Sequence, residues 1–151
     1  MNPRVQAILN FWFEETPPEK RFKKDESFDL LIRNKFLSDY EKASNDELND
    51  WKLNAKSSLA LVILFDQFSR NIFRNDKKAF SQDFKTREIV YNAIDSGFLD
   101  EMSQSEKFFM ILPLIHSEEI KDHEIAYSLL DKHLRDHPGL KDIKKFWEDH
   151  T

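Results

Sequence analysis

Within the stretch Leu59 to Arg74, LALVILFDQFSRNIFR, an aspartate, two amides and two arginines follow directly on an apolar run. At 3.6 residues per turn, Asp66, Gln67, Arg70, Asn71 and Arg74 fall within one arc of a helix, with Phe65, Phe68, Ile72 and Phe73 on the other side. Leu59, Ala60 and Ile63 occupy the same arc one or two turns earlier, so a face that begins apolar becomes polar without leaving the helix. Charge on such a face is expected to be half-buried, and must be paired internally or line a cavity. Two kinds of chemistry suit these residue types. One is a structural network, in which an exposed i,i+4 pair such as Asp66 and Arg70 contributes about 0.3 to 0.5 kcal/mol. The other is an anion pocket, in which Arg70 and Arg74 present forked donors to a carboxylate or phosphate. Asp66 would orient one arginine, and Gln67 and Asn71 would add selective hydrogen bonds.

A second set of residues lies downstream. His116, paired with Asp66 or Glu118, could exchange protons near neutrality if the helices that carry them face each other. His116, Glu119 and His123 have spacings of three and four, which would suit a metal on a continuous helix. Pro113 disturbs the helix just upstream and no fourth ligand is evident, so no metal site is assigned. Ser69 and Ser117 lack the strand-turn-helix context of a nucleophilic serine, and Ser117 reads as a helix cap. Trp12, Phe13 and Trp51 read as core aromatics. With no glycine-rich phosphate loop or dinucleotide fingerprint, no cofactor is expected.

The elements that must position these groups read as helix after helix. Asn2 caps and Pro3 opens the first, with Val5, Ile8, Leu9, Trp12 and Phe13 on one stripe until Pro17 and Pro18 end it. Asp25 caps a second, marked by Phe28, Leu31, Ile32, Phe36 and Tyr40, and the polar run Ser44 to Asp50 leads to Trp51. The helix carrying the Asp66 to Arg74 cluster follows. After a turn around Asn75 to Lys78, a fourth helix is expected to turn Phe84, Ile89, Val90, Ala93 and Ile94 inward and to end at Gly97. Ser103 to Glu106 has capping-box spacing and opens a fifth, which Pro113 is expected to kink or end. A sixth carries Ile120, Ile125, Leu129 and Leu130. Beyond His137, Pro138 and Gly139, a last helix carries Leu140, Ile143, Phe146 and Trp147. No segment alternates with period two, so the class is all-α, a single domain over residues 1–151 built of antiparallel helix pairs.

Composition narrows the function. A chain of 151 residues buries about 68 to 70% of its unfolded surface, enough for a real core. The 14 Phe, 3 Trp and 3 Tyr are expected to fill it. Cysteine is absent, which excludes disulfides, thiolate metal sites and cysteine nucleophiles. The longest apolar runs fall far short of the roughly 20 residues of a membrane span, and the N-terminus has no cleavage site of the secretory kind. A soluble cytoplasmic protein is expected. Formal charge of -5 without a basic block argues against nucleic acid as a partner.

The combination of ILNFWF, LALVILFDQFSRNIFR and LPLIHSEEIKDH resembles the bacterial family called domain of unknown function 924. The likeness spans nearly the whole chain, and DQF-x-RN-x-F-R followed about forty residues later by LP-x-x-HSE is its specific part. The resemblance implies a tetratricopeptide-like fold and no particular activity. The motif residues it points to are Trp12, Trp51, Asp66, Gln67, Arg70, Asn71, Arg74, Pro113, His116, Ser117, Glu118 and Asp122. Two departures stand out: His123 replaces a usual glutamine, and the chain stops at His150 and Thr151, where the family continues into a segment resembling GRFPHRN. A chain shortened there would have an open or disabled pocket, and would offer the C-terminal helix, through Phe146 and Trp147, as a homodimer surface.

Two functions from different classes follow. The first is a binding or adaptor module whose ligand site, Asp66, Gln67, Arg70, Asn71, Arg74 and His116, takes a small anion or an acidic peptide. The second is a small enzyme acting on an anionic metabolite, with Arg70 and Arg74 as clamp and His116 with Asp66 or Glu118 as the acid/base pair. The first is the preferred expectation.

Overall fold

The computed structural model describes residues 2–134, and all of its regular structure is helical. The expected last helix, and with it the homodimer surface, lies outside the described residues.

Local signals set most helix starts. Helix α1 (Pro3–Asn10) begins where the Asn2 side chain accepts a hydrogen bond from the Arg4 N–H, and α2 (Glu26–Ser44) begins where Asp25 accepts from Ser27 and Phe28. Helix α1 continues as a π-helical turn, Phe11–Glu15, closed by the Thr16 N–H to Phe11 carbonyl bond ahead of the two prolines. The central helix has three parts: α3 (Ala55–Val62), a π segment (Ile63–Phe68) and α4 (Ser69–Ile72). Helix α5 (Asp83–Asp95) ends before Gly97, whose φ of 74° is the left-handed conformation that only glycine adopts without strain. Helix α6 (Gln104–His116) opens with a complete capping box between Ser103 and Glu106. Helix α7 (Ile120–His133) returns after a three-residue link and packs on α6, which makes the two antiparallel.

The central helix is the hub. Every residue from Leu59 to Ser69 is buried, because α1, α2, α5 and α6 all pack on this helix. Its Phe68 stacks on Phe36 of α2 with centroids 4.7 Å apart and meets Trp12 edge-on at 5.7 Å. Trp12 in turn meets Phe109 of α6 at 5.6 Å. The aromatic residues thus tie α1, α2 and α6 to the hub.

Two expectations are corrected. Phe84 does not point into the core but is 67% exposed, because the inward face of α5 is set by Thr86, Ile89, Val90 and Ala93. Of the two outcomes expected at Pro113, the ending does not occur, since α6 runs on to His116. The proline lies in the last turn, so the helix forfeits a single backbone hydrogen bond there before it stops of its own accord. No helix among the described residues is long and apolar enough to cross a membrane.

Candidate functional site

The π segment of the central helix positions the first half of the polar cluster. In a π turn the hydrogen bond reaches back five residues, as the Ser69 N–H does to the Leu64 carbonyl. The inserted residue re-aims the side chains that follow. Asp66 and Gln67 both lie in this turn, at 3% and 4% exposure. Such burial obliges Asp66 to find partners. One carboxylate oxygen lies 3.1 Å from Nδ1 of His116, the last residue of α6, and the other accepts a hydrogen bond from Gln67 Nε2 at 2.8 Å.

Arg70 completes the group. Its Nε donates to the Asp66 carbonyl at 2.8 Å, one Nη lies 3.1 Å from His116 Nδ1, and the guanidinium sits 5.0 Å from the centroid of the Phe80 ring. A single ring nitrogen cannot both donate to Asp66 and accept from Arg70. The adjacent carboxylate favours hydrogen on Nδ1, and we assign that tautomer. Nε2 then carries the lone pair, and no hydrogen bond from a described residue reaches it.

Arg70 and His116 open onto a cleft of about 960 Å³, and Asp66 stands behind them. Phe80, Phe84, Ile115 and Ile120 supply its apolar lining. Three carboxylates, Asp83, Glu118 and Glu119, also line it. Asp83, the first residue of α5, is half-buried. Burial and the neighbouring Asp66 and Glu118 push its carboxyl up from the ordinary value, against the pull of Arg70 and His116.

A second polar group braces the same wall. Asp122 of α7, 1% exposed, receives Arg87 Nε and Ser117 Oγ, each at 2.5 Å, and the Tyr91 hydroxyl. These donors hold the Asp122 carboxyl below its usual range despite its burial, while burial and the Asp122 charge push the Tyr91 hydroxyl up to about 12. The Ser117 hydroxyl also accepts from the Glu119 N–H at 3.1 Å, so this serine ties the α6–α7 link to the buried aspartate.

The structure divides the residues singled out from the sequence. It brings Asp66, Gln67, Arg70 and His116 together across the central helix and α6. Glu118 is on the cleft and exposed, and His116 pairs with Asp66 and not with it. Asn71 and Arg74 lie elsewhere: both bond Asp29 of α2, Asn71 Nδ2 at 2.9 Å, Arg74 Nε at 2.5 Å and Arg74 Nη2 at 2.8 Å. Arg70 and Arg74 therefore form no common clamp. The reason is that α4 ends at Ile72 and Phe73 leaves helical geometry, so Arg74 no longer continues the arc of Asp66 and Arg70. Nor do His116, Glu119 and His123 share a helix, since the link from Ser117 to Glu119 separates α6 from α7. Among the described residues no group of three or more histidines and carboxylates is arranged to hold a metal ion. Sequence reading overlooked Asp83, Phe80 and Arg87, whose only local trace is an acid at a helix start and a turn with an aromatic in it.

Comparison with known proteins supplies the family. The pattern described as "Bacterial protein of unknown function (DUF924)" matches residues 8–151, and the chain belongs to that family. A solved structure of a protein of unknown function from Agrobacterium tumefaciens is similar, with a TM-score of 0.86 and 30% identity over 96% of this chain and 81% of that one. No curated protein matches. The solved neighbour agrees with the all-α fold, and neither family nor neighbour brings an activity with it.

Proposed function

We propose that the protein is a small-molecule-binding protein whose ligand carries an anionic group to Arg70 in the cleft. The observation that carries this reading is the way Arg70 is held. Its Nε donates to the Asp66 carbonyl, one Nη lies 3.9 Å from the Asp66 carboxylate, the aromatic ring of Phe80 flanks it, and yet its side chain keeps 34% of its surface exposed. A guanidinium fixed on one side and open on the other has lost its rotamer entropy before the ligand arrives, which is what a binding arginine requires. Gln67 and Asp66 act from behind, by holding Arg70 and His116 in place.

A thermal-shift experiment with small carboxylates and phosphates tests the reading on the wild type and on Arg70→Ala. A ligand at 100 times its dissociation constant adds about 2.7 kcal/mol of stability. The expected result is a rise in melting temperature that disappears in the variant. A shift of equal size in both proteins would overturn the assignment.

The contact between Asp66 and His116 favours a second reading, catalysis by proton transfer. A carboxylate on Nδ1 fixes the tautomer and leaves Nε2 as a general base at the cleft. If this holds, His116→Gln lowers turnover by a factor on the order of 100 or more while ligand affinity changes little. An unchanged turnover would leave binding as the whole function.

A further inference from the structure

The charges around the cleft say more about its ligand than that it bears an anion. Two arginines line the cleft, Arg70 and Arg87, each with 34% of its side chain exposed, but Arg87 is paired through Nε with the buried Asp122 carboxylate, which offsets its charge. Against them stand Asp83, Glu118 and Glu119. A phosphate or a polycarboxylate would meet two arginines, one of them offset by buried Asp122, and three acids, an arrangement that disfavours multiply charged anions. Asp83 is half-buried beside Asp66, Arg70, His116 and Glu118, so it faces the same space as the arginine. A carboxylate there has a natural partner in an ammonium group.

The third component is apolar. Phe80 is 50%, Phe84 67% and Ile120 73% exposed, and all three line this cleft. They come from three elements, the turn before α5, the first turn of α5 and the start of α7. Exposed rings and an isoleucine converging on one concavity beside a cation and an acid provide a surface for an apolar side chain.

We propose that the ligand is a zwitterion with an apolar body, an apolar amino acid or short apolar peptide, whose carboxylate binds Arg70, whose ammonium binds Asp83, and whose side chain rests on Phe80, Phe84 and Ile120. This rests on the anion-binding reading of Arg70 and adds the second charge and the apolar contact. It also gives Asp83, half-buried beside Asp66 and Glu118, a further counter-charge in the ligand ammonium.

Isothermal titration with matched probes tests the proposal and needs no variant to do so. The probes are L-phenylalanine and 3-phenylpropionate, alanyl-phenylalanine and propionyl-phenylalanine, and inorganic phosphate. Each of the first two pairs differs only by the ammonium group. The expected result is that at least one zwitterion binds about tenfold or more tightly than its des-amino counterpart, and that phosphate does not bind. Asp83→Asn should reduce that ratio to near one while the des-amino acid binds as before. If the des-amino acids bind as well as the zwitterions, the ammonium site is wrong and the anion reading of Arg70 survives. If phosphate binds and the organic acids do not, the apolar contact is wrong as well. If none binds, both readings fall together.

Discussion

Asp66 and Asp122 are two buried aspartates behind one cleft, and their surroundings differ in a way that separates support from function. Asp122 is saturated. An arginine, a tyrosine and a serine from α5 and the α6–α7 link close around it, and of these Arg87, one-third exposed, still borders the cleft. Asp66 is satisfied by Gln67 and His116, with the Arg70 guanidinium farther off at 3.9 Å, and both cleft groups that it orients keep free positions. A closed network holds α7 against α5; an open one presents an arginine and an imidazole to solvent. The same residue type at the same burial thus does two jobs, and the difference lies in what its partners have left to give.

The comparison can be broken most forcefully on the closed side. Arg87→Ala leaves Asp122 buried without its cation, which should cost about 3 kcal/mol, the low end for a broken buried pair because Arg87 is one-third exposed. Urea unfolding should show the midpoint fall with an unchanged slope. A loss below about 1 kcal/mol would mean that Tyr91 and Ser117 suffice, and that Arg87 is free for the cleft after all.

Acidity sharpens the contrast because the two sides of the cleft respond with opposite sign. The lowered Asp122 carboxyl contributes stability that is complete above its ordinary value of 3.8 and is lost as pH falls through its depressed folded value. The raised Asp83 carboxyl opposes folding when ionised, so its contribution improves as pH falls through its raised folded value toward 3.8. Asp83→Asn is therefore expected to raise the melting temperature at neutral pH while weakening zwitterion binding, the trade between stability and activity typical of functional sites. Melting curves from pH 7 down to about pH 2 check both signs. A variant that melts lower than the wild type at neutral pH would show that Asp83 makes a structural contribution instead.

His116→Gln tests the open side. Removing the imidazole leaves Asp66 with Gln67 and should cost only about 1 kcal/mol, the worth of one hydrogen bond. A cost near that of Arg87→Ala, read in the same urea titration, would make the two aspartates alike and remove the basis for calling one network functional.

How far these networks could be read from sequence depends on the range over which each signal acts. Caps act within four residues, so Asn2, Asp25, the Ser103 and Glu106 box and Gly97 announce their helices. The family motif puts Asp66, Arg70 and His116 in view, but the pairing of Asp66 with His116 spans 50 positions and only the packing of α6 on the central helix brings it about. Phe84 was misplaced because apolar residues are expected inside, and helical periodicity cannot reveal that a cleft opens at the start of α5. Asp83 left no trace beyond being an acid in a first turn, where helix dipole alone accounts for it. The π segment has no residue signature at all, though it decides which way Asp66 faces.

The smallest expected effect concerns the half of the motif that left the cleft. Asn71 and Arg74 spend their donors on Asp29 of α2, in a half-buried pair where the side chains are 28% and 13% exposed. Arg74 holds the Asp29 carboxyl below its usual range, and Asp29 raises Arg74 in return. Arg74→Ala should therefore cost about 1 kcal/mol, since solvent screens part of the attraction and Asn71 still reaches the carboxylate. It should leave ligand affinity untouched, because α4 ends between Arg70 and the turn that carries Arg74. Titrating the same zwitterion into Arg70→Ala and Arg74→Ala puts the division to a direct test. Equal losses in the two would mean that the arginines act as one clamp in the bound state, and that the ligand draws Arg74 off Asp29 to reach it.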